Sequence, residues 1–280
     1  MEVVANGKPR AVEDGATVEE LVRSLGLDPR FVIVERNGEP LQRRVYASTR
    51  LSQGDRVELV RAVAGGAGTS AGRERRERLA RARLYIVTDA RVGRGDLKDF
   101  LEEILEAGCD VVQLREKDAE AGDLMRLGEI FKEAASRHGA LFIVNDRADV
   151  ALALEADGVH LGQNDLPAET ARTVLGPDAL IGLSCHSSAD HDRAPAVADY
   201  LTAGPVWATP TKPGRPGTGL ELVRGAARSV NRPWFAIGGI DPTNLHDVVE
   251  AGATRVVVVR AVTEAEHPAA AVGALLAGLP

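Results

Sequence analysis

The chain has 280 residues, of which 44% are hydrophobic, 27% are charged and only 4% are aromatic. This length exceeds the usual size of a single domain and predicts either one large domain or a small domain joined to a large one. The net charge of −7 is concentrated in residues 84–280, which carry 18 basic and 29 acidic side chains. An acidic main body argues against a nucleic-acid-binding surface, because contact with the phosphate backbone requires a basic stripe.

The sequence shows no membrane or export signal. Its first residues lack the long apolar segment of a signal peptide, and the longest aliphatic run, at 256–259, is far too short to span a bilayer. The two cysteines, Cys109 and Cys185, lack the Cys-x-x-Cys spacing of a zinc or redox site. We therefore expect a cytoplasmic protein with no membrane partner.

The N-terminal 63 residues predict a small unit of strand, turn, helix and strand. A hairpin signal, Asn6-Gly7, follows the first apolar pair. Thr17 and Glu20 have the spacing of a capping box, and an apolar stripe follows them up to Gly26. A last strand at 56–63 completes the predicted sheet.

That last strand runs into Ala64-Gly65-Gly66, and a small flexible stretch and a basic helix at 73–83 come next. We predict domain bounds of 1–66 for the first unit, 67–83 for the linker and charged helix, and 84–280 for the main domain. The basic run predicts a solvated helix, with anion contact as the alternative. By its length, strand order and diglycine end, the first unit resembles the ubiquitin-like sulfur carrier of thiazole biosynthesis, which implies a β-grasp fold.

The main domain alternates apolar runs with helical patterns. Continuous apolar runs between amphipathic helices indicate a parallel sheet covered on its outside, and eight such runs in this length predict a closed (β/α)₈ TIM barrel. An open doubly wound sheet is the alternative. The eight runs are LYIVT, DVVQLR, LFIVN, DGVHLG, LIGLS, YLTAGPVW, FAIGGI and RVVVVRAV.

Polar residues that close the predicted strands are the candidate site, because catalytic groups of such barrels lie at the C-terminal ends of the strands. In strand order they are Gln113, Arg115 and Lys117; Asn145 and Asp146; Asp165; Ser184 and His186; Thr209, Thr211 and Lys212; Gly238 and Gly239; and Arg260.

Gln113, Arg115 and Lys117 alternate along the chain, so an extended backbone places all three side chains on one face. A guanidinium binds phosphate through two bonds and an ammonium acts as a point charge. Together with Lys212 they predict a diphosphate site. The alternative is ion pairing with the carboxylates that lie next to them in the sequence.

Asp146 and Asp165 offer two carboxylates without histidine or cysteine at ligand spacing. Oxygen ligands of this kind favour a hard ion, and we predict Mg²⁺ completed by water and phosphate oxygens. The alternative for Asp146 is local pairing with Arg147, and Asp165 also has the position of a helix cap.

Gly238 and Gly239 allow backbone amides to approach a ligand closely, and the loops after strands seven and eight of this fold commonly bind phosphate. They predict a second phosphate site, with a simple turn as the alternative. Cys185 and His186 lack a visible third partner, so covalent catalysis is disfavoured. His160 is expected to line the barrel.

Five strings closely resemble the thiamine phosphate synthase family, in the right order over residues 84–265. They are Gln113-Leu114-Arg115-Glu116-Lys117, Asn145-Asp146-Arg147, the segment from Gly158 to Gln163 with Asp165, Thr209-Pro210-Thr211-Lys212, and the segment from Ala236 to Ile240. The resemblance implies a transferase that condenses 4-amino-2-methyl-5-hydroxymethylpyrimidine diphosphate with thiazole phosphate, or its carboxylate, in the presence of Mg²⁺.

The resemblance also implies a role for each matching residue. Gln113, Asn145 and Ser184 would hold the aminopyrimidine, and Arg115, Lys117 and Lys212 the diphosphate, with Mg²⁺ on Asp146 and Asp165. Thr209, Thr211, Gly239 and the amides of Val259 and Arg260 would hold the thiazole phosphate. Leu114, Glu116, Pro210 and Gly238 complete the substrate-binding set, and Arg115, Lys117, Lys212 and Ser184 are the catalytic candidates. Many relatives have serine where Arg260 stands.

Two alternatives concern function. A thiazole tautomerase of the same barrel family would bind thiazole phosphate without making thiamine phosphate. The N-terminal unit would serve as a sulfur carrier, with an adenylating enzyme and a thiazole synthase as partners, only if the chain were cut after Gly66 to expose its carboxylate. Without cleavage, a docking or folding role remains for this unit.

Overall fold

Two units make up the chain, residues 1–67 and residues 68–280. The computed structural model describes residues 1–25, 27, 29, 32–42, 45–61, 69–209 and 217–280. Within those stretches, no helix is both long and apolar enough to cross a membrane.

The N-terminal unit is a five-stranded sheet with one helix against it, within its described residues. The strand order is β2-β1-β5-β3-β4, with the first and last strands of the unit parallel at the centre and antiparallel pairs around them. This arrangement confirms the predicted β-grasp fold. The elements are β1 (Glu2–Ala5), β2 (Lys8–Ala11), α1 (Val18–Ser24), β3 (Val32–Arg36), β4 (Glu39–Leu41) and β5 (Arg56–Arg61).

Helix α1 begins with the predicted capping box. The Thr17 hydroxyl accepts a hydrogen bond from the Glu20 amide at 3.3 Å, and the Glu20 carboxylate accepts one from the Thr17 amide at 2.8 Å. Val18, Leu21 and Val22 are buried in the core of this unit. Burial stabilises each such side chain by roughly 1.5–3 kcal/mol relative to exposure, so the apolar stripe fixes the helix to the sheet.

The second unit is a closed barrel of eight parallel strands, as predicted. Seven of the strands carry long buried stretches because helices cover the barrel outside and side chains fill it inside. The strands are β6 (Leu84–Thr88), β7 (Val111–Leu114), β8 (Leu141–Asn145), β9 (Gly158–Leu161), β10 (Leu180–Cys185), β11 (Tyr200–Ala203), β12 (Trp234–Ile237) and β13 (Val256–Val258).

Helices follow the strands and bury one side of each helix against the barrel. In the helix that follows the first barrel strand, Phe100, Leu101, Ile104 and Leu105 recur at helical spacing and are buried. The described helices are α2 (Ser70–Arg81), α3 (Leu97–Glu106), α4 (Ala121–His138), α5 (Ala148–Ala153), α6 (Ala168–Leu175), α7 (Ser188–Arg193), α8 (Leu220–Ser229), α9 (Leu245–Glu250), α10 (Arg260–Thr263) and α11 (Pro268–Gly278).

Helix α2 closes the N-terminal end of the barrel, and the expectation of a simply solvated helix is wrong for its inner side. Leu79 is 2% exposed and packs into the barrel interior with Tyr85. Arg75 forms an ion pair at 2.8 Å with Asp157, the residue that precedes strand β9. Basic residues of this helix therefore contact carboxylates at the N-terminal ends of barrel strands that are distant in the sequence.

Candidate active site

Two adjoining cavities open at the C-terminal ends of the barrel strands. One, of about 260 Å³, contains the Asp146 side chain and is called the Asp146 cavity; the other, of about 300 Å³, contains Gly239 and is called the Gly239 cavity. Ser184, His186 and Thr202 line both of them. Two ligands bound in these cavities would therefore lie next to each other.

The Asp146 cavity brings together most of the residues predicted for the diphosphate and the pyrimidine. Alternation along the chain explains why Gln113, Arg115 and Lys117 line the cavity together, because every second residue of an extended segment faces the same side. Leu114 is buried without lining either cavity, and the Glu116 side chain lines neither. The predicted residues that line it are Gln113, Arg115, Lys117, Asn145, Asp146, Asp165 and Ser184.

The two described cations of this cavity are not neutralised by their sequence neighbours. Lys117 Nζ lies 3.8 Å from the Asp146 carboxylate, a distance that adds little stability at a solvent-exposed lysine. The Arg115 guanidinium makes no ion pair with any carboxylate in the described parts of the chain, although its backbone amide donates to Thr88 at 2.9 Å. The arrangement suits an anion in the cavity.

The two carboxylates of the cavity influence each other. Burial, and next the neighbouring Asp165 carboxylate, raise the pKa of Asp146, against the effect of Lys117. Asp165 also accepts a hydrogen bond from the Gly162 amide at 2.6 Å. Two like charges held side by side attract a cation with oxygen ligands, so the residues fit Mg²⁺.

The backbone at Asp146 is in the left-handed region, with φ of 61°, which residues other than glycine adopt rarely. Its amide donates to the carbonyl of His160 at 2.9 Å, which ties the end of strand β8 to strand β9. Strain of this kind costs on the order of 1–3 kcal/mol and is often found at functional sites. Here it occurs at a carboxylate that lines the same cavity as Asp165.

The Gly239 cavity is lined by glycine backbone. Gly238 and Gly239 have φ of 106° and 70°, and a Cβ on Gly238 would lie 2.5 Å from the Cα of Pro205. The chain passes too close at this point for any side chain, which leaves the backbone facing the cavity. Helix α10 begins at Arg260, directly after strand β13, so the alternative of a simple turn is not favoured. Thr209, Val259 and Arg260 complete the predicted residues here.

Four predicted residues lie outside the described residues. They are Gly66, Pro210, Thr211 and Lys212.

The sequence reasoning missed several polar side chains of the barrel interior. Tyr85, Thr202 and Gln163 line the Asp146 cavity, and Gln163 donates to the backbone carbonyl of Ser184 at 2.5 Å. The available signal was alternation: in strand β11, Tyr200 and Thr202 flank Leu201 and therefore face the interior together.

The structure gives no support to a cysteine nucleophile. Cys185 is 1% exposed, and burial raises the pKa of its thiol to about 12, so the thiol stays protonated. His186 lines both cavities and its Nδ1 lies 2.5 Å from the carbonyl oxygen of Gly204. His160 lines the barrel, as expected, with hydrogen bonds to Tyr200 and Ser184.

Comparison with known families agrees with this geometry. Residues 84–262 match the family model described as thiamine monophosphate synthase. The chain belongs to this family. Residues 3–66 match the model of the ThiS family, so the N-terminal unit is sulfur-carrier-like.

The matches to individual relatives cover nearly the whole length of each relative. The chain is 56% identical over 205 residues to the thiamine-phosphate synthase of Acidothermus cellulolyticus, and the match covers 72% of this chain and 96% of that protein. It is 55% identical over 199 residues to the enzyme of the same name from Streptomyces avermitilis, covering 70% and 93%. The solved thiamine phosphate pyrophosphorylase of Pyrococcus furiosus superposes with a TM-score of 0.65 at 36% identity, covering 72% and 96%.

Proposed function

We propose that the chain joins an aminopyrimidine methyl diphosphate to thiazole phosphate and releases pyrophosphate, forming thiamine phosphate. Its family and the names of its relatives support a synthase. The observation that carries the proposal is the Asp146 cavity, in which two cations and two carboxylates face one space beside the Gly239 cavity. A thiazole tautomerase would have no use for a diphosphate site of this kind.

The pyrimidine is proposed to lie among Gln113, Asn145 and Ser184. Gln113 and Ser184 are 2% and 5% exposed, so their side chains are held in place before substrate arrives. Buried polar groups that are left unpaired by a wrong ligand cost about 1–3 kcal/mol each, which makes such groups effective at discrimination. The three residues would therefore select the base and fix its orientation.

Charge stabilisation is proposed to drive the chemical step. The bond between the methylene carbon and the diphosphate oxygen breaks, its electron pair leaves with pyrophosphate, and the thiazole nitrogen lone pair forms the new carbon–nitrogen bond. Arg115 and Lys117 face the departing group, with Lys212 as a third cation. Donors placed where negative charge develops are worth about 10²–10³ in rate each. No general base is needed.

Mg²⁺ is proposed as the cofactor, held by Asp146 and Asp165 together with diphosphate and water oxygens. When bound, it would neutralise charge on the leaving diphosphate. Two carboxylates alone bind Mg²⁺ weakly, since this ion usually combines one or two carboxylates with substrate phosphates. The chain's residues therefore favour the ion most when the pyrimidine diphosphate is present.

Product analysis of the full-length chain tests the synthase proposal. Pyrophosphate and thiamine phosphate should appear in equal amounts, and only when Mg²⁺ and both substrates are supplied. Isomerisation of thiazole carboxylate phosphate without pyrophosphate release would instead establish a tautomerase. Pyrophosphate release from the pyrimidine substrate alone, at an equal rate and without thiamine phosphate, would establish a hydrolase.

A second proposal concerns the N-terminal unit, whose match to the ThiS family ends at Gly66. We propose that it carries sulfur for thiazole synthesis once the chain is cut after Gly66, with an adenylating enzyme and a thiazole synthase as partners. Adenylation requires a free glycine carboxylate, which the following residues block in the intact chain. Intact mass of the protein from its native host decides: a fragment ending at Gly66 supports the carrier, and an uncut chain leaves a docking or folding role.

The site of action is proposed to be the cytoplasm. Cys109 and Cys185 are both buried and free, which suits a reducing compartment.

A further inference from the structure

A continuous chain of hydrogen bonds crosses the barrel between the two ends of the proposed pyrimidine site. Gln113 Nε2 lies 2.5 Å from the Tyr85 hydroxyl, which lies 3.2 Å from the Tyr200 hydroxyl. The Tyr200 hydroxyl lies 3.2 Å from His160 Nδ1, and His160 Nε2 lies 3.0 Å from Ser184 Oγ. We call these five side chains the relay.

The middle of the relay is buried beneath the cavity and held firmly. Tyr200 is fully buried and lines neither cavity, so any effect it has on a ligand must pass through other residues. A Cβ on Gly182 would lie 2.1 Å from its ring, and Phe235 packs edge-on against it with ring centroids 5.9 Å apart. The ring position is therefore determined by packing on two sides.

With the amide nitrogen of Gln113 as the donor at one end, the protons of the relay are assigned one direction. The Gln113 amide is a donor, so the Tyr85 hydroxyl accepts from it and gives its own proton to Tyr200. In this direction Tyr200 donates to His160 Nδ1, which is then the unprotonated nitrogen of a neutral ring. The ring proton therefore lies on Nε2 and is donated to Ser184 Oγ.

Burial keeps both tyrosine hydroxyls of the relay protonated. It raises the pKa of both Tyr85 and Tyr200 above the ordinary value, so neither hydroxyl loses its proton in the working pH range of an enzyme.

The relay leaves one hydrogen-bond donor and one acceptor facing the cavity. Ser184 accepts from His160, so its own hydroxyl proton is available to a ligand, and Gln113 retains its carbonyl oxygen as an acceptor. A ligand that satisfies both must present an acceptor to the serine and a donor to the glutamine. A ring nitrogen and an exocyclic amino group form such a pair.

We propose that Tyr85, Tyr200 and His160 are positioning residues that set the hydrogen-bond polarity of Ser184 and Gln113 to match an aminopyrimidine. The inference rests on the proposed function for the identity of the ligand. The position of the ring proton on His160 is predicted from the relay and does not depend on the identity of the ligand.

The first test measures the protonation of His160 in the full-length wild-type protein without substrate. Nitrogen-15 NMR distinguishes the two ring nitrogens, and the assignment comes from the His160→Gln variant, which lacks the signal. A neutral ring with its proton on Nε2 is expected. A ring with its proton on Nδ1, or a doubly protonated ring at neutral pH, overturns the relay whether or not the protein is a synthase.

The second test is steady-state kinetics of Tyr200→Phe, which removes one hydroxyl and keeps the ring. The KM for the pyrimidine diphosphate should rise about tenfold, equivalent to about 1.4 kcal/mol, while the KM for thiazole phosphate stays within about twofold. Tyr46→Phe is the matched control, since Tyr46 is a buried tyrosine of the N-terminal unit, bonded to the backbone of Val32 and Val34. It should change neither constant.

The outcomes separate the two proposals. An unchanged KM, or equal changes for both substrates, refutes the positioning role of Tyr200. An inactive wild-type protein whose His160 has the expected proton refutes the proposed function but not the direction of the relay. If Tyr200→Phe does not fold, the wild-type NMR measurement still decides the direction.

Discussion

Replacing Asp199 by alanine should destabilise the barrel strongly, because this carboxylate joins helix α2 to two other parts of the unit. It accepts from Arg76 Nε at 2.8 Å, from Arg172 Nη2 at 2.6 Å and from the Ile181 amide at 2.8 Å. The Arg172 and Asp199 side chains are 9% and 11% exposed. Burial lowers the pKa of Arg172, and the Asp199 charge opposes this shift, so the pair keeps the guanidinium ionised.

The expected loss follows from the charge that is left behind. Removing one partner of a buried ion pair costs about 3–5 kcal/mol, since the other charge stays buried without compensation. Arg172 keeps hydrogen bonds to the backbone carbonyls of Gly176, Ala179 and Val197, which places Asp199→Ala near the lower end, at about 3 kcal/mol. For a unit of about 200 residues this corresponds to a fall in Tm of about 6–12 °C.

Denaturant unfolding of the full-length protein, followed by tryptophan fluorescence, measures this loss. Both tryptophans, Trp207 and Trp234, belong to the barrel unit, so the signal reports that unit. Glu221→Ala is the control, because its ion pair with Arg224 is exposed and should contribute less than about 1 kcal/mol. A loss for Asp199→Ala that is no larger than that of the control would refute the reasoning.

Three further predictions follow from other contacts. Asp146→Ala should lower the rate of pyrophosphate release by about 10²–10³ with an unchanged Tm, and near-normal turnover would exclude the proposed site. Burial raises the pKa of Asp55, but its hydrogen bonds and ion pair have the larger effect, so the net pKa is lowered. The carboxylate therefore stabilises the fold above about pH 4, and this contribution is lost as the pH falls through the lowered pKa. In the wild-type protein, hydrogen exchange should show amide protection in strand β5 falling as the pH is lowered. Asp55→Asn should abolish this pH dependence, and an unchanged dependence would contradict the prediction. Gly182→Ala should cost about 1–3 kcal/mol in denaturant unfolding by displacing Tyr200, whereas Gly122→Ala, which meets open space, should not destabilise, and equal effects would argue against a close contact.

The barrel was predictable because its signal is repeated. Each of the eight apolar runs becomes a barrel strand, and burial on both faces explains why the runs are continuous and do not alternate. The capping box at Thr17 and Glu20 was equally readable, since it depends only on residues three positions apart. Local spacing and strand count were enough for these elements.

Helix α2 could not be predicted in the same way. Its arginines look like a solvated basic run in the sequence, but Arg75 meets Asp157, 82 residues away, and Arg76 meets Asp199, 123 residues away. Only the closed barrel brings these carboxylates to one end. Tyr85 and Tyr200 were overlooked for the same reason, because their hydroxyls meet across the barrel.

The place of the candidate cavities at the strand ends was predictable, and the structure adds the reason why local pairing does not account for the charges there. In the sequence, Arg115 and Lys117 have carboxylates beside them. In the barrel, alternation turns the Glu116 side chain away from the Asp146 cavity, and among the described carboxylates Lys117 pairs only with Asp146, at 3.8 Å. The cations therefore face the cavity, where a diphosphate would provide the missing negative charge.

Helix α2 belongs to the barrel unit, so the proposed cleavage after Gly66 would leave this helix with the barrel. The Thr69 amide and hydroxyl each bond to the Asp178 carboxylate at 2.8 Å, and helix α2 follows directly with its contacts to the barrel. The family match begins only at residue 84, which would assign α2 to a linker. Because Leu79 and the arginine pairs belong to the barrel unit, a cut after Gly66 would leave helix α2 attached to it, whereas truncation to residue 84 would remove this helix and expose the N-terminal end of the barrel.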